Sequence, residues 1–193
     1  MNGSSAVSGN KVAAGGGIAN LHGTVTINDS SSVSDNTNLI GNGGGIDNYR
    51  GTLTMNDSAS VTGNKVWEGA GGGISNHGSL TMNGSSSVSG NDVEKSGYVG
   101  GGIDNYRGTI TMNFSSSVTG NLVAEGSGGG IHDDGALTMT GSSSVTGNRI
   151  LVDGSGGGIL VASSGTFNAC TAWSGAISPN TPDDPPAPSL IPC

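Results

Sequence analysis

Aromatic residues make up only 4% of this chain and charged residues 10%. With a hydrophobic fraction of 32%, that composition cannot build an ordinary globular core. Cysteine is limited to Cys170 and Cys193, too few for a disulfide scaffold, although a bridge between them is plausible outside the cell. Proline is absent before Pro179, and all six prolines fall in residues 179–192. No apolar run is long enough to span a bilayer, and no segment shows a helical period. Positive charge is scarce: six Lys and Arg stand against fourteen Asp and Glu, for a net charge of −8. That balance excludes nucleic acid and anionic membranes as partners, because phosphate binding needs clustered Lys and Arg. Disorder is excluded too, since the chain is poor in charge and its apolar residues are periodic.

What the chain has is glycine, 38 residues of it, set in a repeat. The motif GGGI ends at Ile18, Ile46, Ile74, Ile103, Ile131 and Ile159, with spacings of 28, 28, 29, 28 and 28. Units begin at Gly15, Gly43, Gly71, Gly100, Gly128 and Gly156, and the last loses the pattern after about Phe167. The stretch GGGIDNYRGT is written twice, at 43–52 and 100–109. Residues 1–10 match residues 82–91 at every position but one, so the chain opens in the middle of a unit. There is no signal peptide to read.

Each unit holds three short β-like pieces: GGGI-x-N, TLTMN and SVTGN. In Thr52-Leu53-Thr54-Met55 the apolar residues fall on one face and the threonines on the other. Gly, Asn, Asp and Ser cluster between the pieces, as turns require. Such a unit cannot bury its apolar face alone, but stacked units can, with like residue over like. The expected fold is all-β: a parallel β-helix, or β-solenoid, of about six 28-residue coils with three short strands each. It covers residues 1–177, and the Pro-rich residues 178–193 form a C-terminal cap or linker. Four inward columns follow. They run through Ile46, Leu53, Met55 and Val61 and their equivalents one repeat apart.

Asparagines line up as well. One ladder is Asn20, Asn48, Asn76 and Asn105, continued by Asp133 or Asp134. A second is Asn28, Asn56, Asn83, Asn113 and then Thr140; a third is Asn36, Asn64, Asn91, Asn121 and Asn148. Amides stacked this way can bond one another from coil to coil.

Taken together, GGGI, LTMN and SV(S/T)GN resemble the repeats of right-handed parallel β-helix proteins of the polymorphic outer-membrane protein and adhesin-like surface protein type. The resemblance covers residue 1 to about Phe167. It implies right-handed coils of the pectate-lyase-like superfold and an extracellular or cell-surface location. It implies no activity, because that superfold carries enzymes, adhesins and inert stalks alike.

Three functional expectations are open. The first is a non-enzymatic surface module, adhesin-like or structural, that binds a glycan or cell surface through regular flat faces. Its candidate partner-binding corner is Asp47, Tyr49, Arg50, Asp104, Tyr106 and Arg107, where Asp47 and Arg50 can also simply pair at the surface. The second is ice binding through an outward T-x-T array: Thr24, Thr26, Thr52, Thr54, Ser79, Thr81, Thr109, Thr111 and Thr138, with Ala136 filling one place. Threonine's ordinary strand preference explains such rows equally well. The third is a polysaccharide lyase or hydrolase. Asp47 and Asp104 lie two coils apart, ~9.6 Å by strand spacing, near the separation of about 6.5–9.5 Å in inverting glycosidases. No long loop encloses a groove there, so no catalytic residue is assigned. GGGI is not a phosphate loop, because no Lys-Ser or Lys-Thr follows it, and a period of 28 is not that of a calcium-binding nonapeptide repeat. No cofactor or metal is called for. An uncapped first strand exposes a β edge, so end-to-end self-association is expected.

Overall fold

The structure is a computed structural model, and it describes residues 1–95, 97–171, 173–181 and 189–191. Among them there is no α-helix. Every strand pair among them is parallel, and strands of the inner coils pair with their equivalents in the coils above and below. The molecule is a β-solenoid of about six turns.

The three pieces read from the sequence each form a sheet. In the second coil they are Ile46–Tyr49, Thr52–Met55 and Ser60–Thr62. A fourth sheet is added by the segment between SVTGN and the next GGGI, Lys65–Glu68 in this coil. Register is kept residue for residue: Ile46 pairs with Ile18 and Ile74, Met55 with Ile27 and Met82, and Val61 with Val33 and Val88.

The inward columns of Ile, Leu, Met and Val form one buried core along the axis. Val66, Val93, Val123 and Ile150, behind the fourth sheet, form a second, smaller core. Beside the glycine corner runs the third asparagine ladder. Asn64 Nδ2 donates to Asn91 Oδ1 at 3.0 Å and to the Val33 carbonyl at 2.9 Å, and the same pattern links Asn10 through Asn148 to Asn180. Each of these amides bonds the coils on both sides, so a buried polar side chain has partners wherever the stack continues.

The GGGI corner explains why three glycines recur. At Gly43, φ is +66° and a Cβ would lie 2.2 Å from the Ile46 carbonyl oxygen of its own strand. At Gly44 a Cβ would lie 2.2 Å from the Gly72 oxygen of the next coil; at Gly45 it would lie 2.8 Å from Asn64 Nδ2. Each glycine thus answers a different contact: its own strand, the neighbouring coil, and the asparagine ladder.

At the far end, Asn180 extends the third ladder, Thr181 bridges to Arg149, and Ser189–Ile191 pairs with Thr166–Cys170. Cys170 is disulfide-bonded, and the other cysteine, Cys193, lies outside the described residues.

Candidate functional site

The first asparagine ladder marks the start of the corner that leads from the GGGI sheet to the TLTM sheet. Asn20, Asn48 and Asn76 each donate Nδ2 to the next Oδ1 at 2.7–2.8 Å, and Asn105 donates to Asp133 Oδ1 at 2.6 Å. The register places Asp133, not Asp134, at the end of this ladder. Asp133 is fully buried, and its second carboxylate oxygen has no partner among the described residues. Burial pushes its carboxyl up, against the lowering effect of the Asn105 bond.

After these asparagines the corner varies in length. Three residues separate Asn48 from Thr52 and Asn105 from Thr109, but only two separate Asn76 from Ser79. The middle coil is therefore one residue short between two longer neighbours. The side chains of the longer corners, Tyr49 with Arg50 and Tyr106 with Arg107, close over His77 and leave a cleft of ≈ 290 Å³. The His77 ring lies 5.6 Å from Tyr49 and 5.1 Å from Tyr106, tilted by 45° and 47°. His22, one coil further out, meets Tyr49 edge-on at 5.8 Å. Arg50 sits 5.3 Å from the Tyr49 ring centre and Arg107 sits 5.0 Å from that of Tyr106. Both arginines hold left-handed backbone, φ 54° and 55°, in which a side chain of that size is uncommon.

Of the corner residues expected from the sequence, the structure brings Tyr49, Arg50, Tyr106 and Arg107 together. Asp47 and Asp104 do not line the cleft. They stand in one column of the GGGI sheet with Ser75 between them, where Ser75 and Asp104 are buried and Asp47 is half-buried. Asp47 makes no ion pair with Arg50: the guanidinium lies over Tyr49 instead. Burial raises the Asp47 carboxyl, and the nearby His77 partly offsets that. Asp104 Oδ1 lies 2.9 Å from His132 Nδ1. Ser75 Oγ is buried without a partner among the described residues. The sequence places His22 and His77 among the polar exceptions of this variable corner, but not in the partner-binding set expected from it. The signal that finds His77 is the missing residue in its corner.

The T-x-T array forms two columns in register. Thr24, Thr52, Ser79 and Thr109 are exposed and lead to Ala136. Thr26, Thr54, Thr81, Thr111 and Thr138 make an unbroken, half-buried second column. The outward side of the fourth sheet, unforeseen in the sequence, carries an ion network. Lys65 meets Glu94 and, at 3.6 Å, Asp92, while Lys95 meets Glu68 at 2.6 Å. Burial raises the Asp92 carboxyl, and Glu94 adds to that rise.

Among the described residues, no group of three or more His, Cys, Asp or Glu is placed to hold a metal, and no helix is long and apolar enough to cross a membrane. Fold and corner together define a parallel β-solenoid repeat protein with an aromatic and guanidinium cleft on one edge. No family model matches the chain, and no curated protein or solved structure shows significant similarity to it.

Proposed function

We propose that this protein is a non-enzymatic, extracellular or cell-surface recognition module of the adhesin-like β-helix type. The family type rests on the repeat motifs, and the contact point is the Tyr–His–Tyr corner. The observation that carries the reading is the ring column across three coils, flanked by two guanidiniums that no carboxylate among the described residues neutralises. Exposed tyrosine and arginine side by side are typical anchors of binding surfaces. The test is alanine at Tyr49, Arg50, Tyr106 and Arg107 together. Binding to cells or immobilised glycans is expected to fall while the melting temperature holds, since all four side chains are exposed. Undiminished binding removes the corner as the site.

A second reading is ice binding, favoured by the unbroken column Thr26, Thr54, Thr81, Thr111 and Thr138. In-register rows ~4.8 Å apart could order water on a flat face. Thr54→Tyr with Thr111→Tyr then abolishes thermal hysteresis without unfolding the chain. A wild type without hysteresis or ice shaping ends this reading.

A further inference from the structure

From the corner cleft we infer the chemical class of the ligand: a saccharide chain bearing carboxylates on alternate sugars. This rests on the corner being the recognition site, and it deepens that reading.

The charge argument comes first. Of the six Lys and Arg, Lys65 and Lys95 are neutralised by carboxylates. Two of the remaining four, Arg50 and Arg107, converge on one cleft of a chain with net charge −8. Neither makes an ion pair among the described residues. A guanidinium fork matches a planar carboxylate with two parallel hydrogen bonds. The net negative charge opposes any anion at long range, but beyond ~8 Å it is screened at physiological salt. Contact with the two arginines is local and escapes that screening.

Spacing and surroundings then select the carrier. The two arginines lie two coils apart, ~9.6 Å by strand spacing, with one aromatic coil between them. Each guanidinium stays over the ring of its own coil, so a ligand that engages both must repeat its charge across an intervening unit. That intervening unit meets the His77 ring between two tyrosines, an aromatic floor whose rings are tilted to one another. The cleft, ≈ 290 Å³, falls just below the range of about 300–1,000 Å³ that encloses small molecules. It suits part of a longer chain laid along the solenoid edge. Thr52, Ser79 and Thr109 begin the next strand in the same three coils, all exposed. They set a row of hydroxyls beside the cleft that can bond sugar hydroxyls.

The test is titration calorimetry with an oligosaccharide that has glucuronate at every second position, its methyl-esterified form, and a neutral glucose oligosaccharide of the same length. The glucuronate probe is expected to bind, and esterification to weaken it about tenfold or more. Arg50→Gln with Arg107→Gln is expected to produce a loss of the same order, and Lys at both positions to recover part of it. Unchanged far-UV spectra and melting curves keep these losses from being misread as unfolding. Equal affinity for the esterified probe, or wild-type affinity in the double Gln variant, overturns the inference. So does displacement of the probe by equimolar inorganic phosphate, which would mark a bare anion site. If the glucuronate probe does not bind while cell binding still depends on the corner, the ligand class is wrong and the recognition reading stands. If the fourfold alanine variant keeps all cell and glycan binding, the recognition reading falls as well.

Discussion

Gly44 and Gly90, from neighbouring units, show that two glycines of the repeat pattern can be required for different reasons. Gly90 has φ +61°, and a Cβ there would have nothing within 4 Å, so alanine meets only backbone strain. Gly44 is not left-handed, yet a Cβ would press into the Gly72 oxygen and the Lys65 carbonyl. Gly90→Ala is expected to cost about 1 kcal/mol, the left-handed penalty. Gly44→Ala should cost about 3 kcal/mol, because two coils must separate to admit the methyl. Urea melts of the two variants check this. Equal losses would mean that the coils do not meet at this corner as described.

Among the structural elements, the three ladders are not equivalent. The third is buried, and each of its amides bonds the coils on both sides. Asn91 Oδ1 accepts from both the backbone and the side chain of Asn64, and Asn91 Nδ2 donates to the Val61 carbonyl and Asn121 Oδ1. The second ladder is half-buried and holds by single contacts, such as Asn56 Nδ2 to Asn28 Oδ1 at 2.8 Å. Its donors also point the other way, toward the N-terminal coil. Asn91→Ala orphans several buried groups and is expected to cost about 3 kcal/mol or more, at about 1–3 kcal/mol per group. Asn56→Ala leaves its neighbours open to water and should cost about 1 kcal/mol. Thermal melts that rank them the other way would make the outer ladder the structural one.

The whole molecule carries a pH dependence. Asp47, Asp92 and Asp133 all have raised carboxyls, with burial the largest cause in each. A carboxyl raised in the folded state stabilises the fold while it is protonated. That contribution is full below the unfolded value, 3.8, and is lost as pH rises through the higher folded value. The net charge of −8 adds self-repulsion in the same direction. The melting temperature is therefore expected to fall as pH rises above about 4. Asp133→Asn, which keeps a ladder acceptor and removes the buried charge, should flatten part of that fall. A maximum near neutral pH that the substitution leaves unmoved would show that these carboxyls do not govern stability.

Most of the solenoid was legible in the repeat, because each residue's nearest neighbour across coils is its own equivalent one unit away. Ile46 over Ile74, Met55 over Met82 and Asn64 over Asn91 follow from the period alone, and the register keeps all three. The fourth sheet was not legible, since KVWE, DV and LVAEGS share one inward valine and little else. Parallel pairing there comes from backbone groups brought into line by the coils themselves. The end of the first ladder was likewise undecided between two adjacent aspartates until the register fixed it on Asp133. Tyr49, Arg50, Tyr106 and Arg107 could be picked out as departures from the repeat. Their meeting over His77 could not, and the choice of Arg50 between the adjacent ring and Asp47 stayed open until the structure placed it over Tyr49. The repeat determines which residues stack. Only the tertiary structure decides how a corner one residue shorter than its neighbours redirects the side chains around it, because that depends on lengths compared across three coils at once.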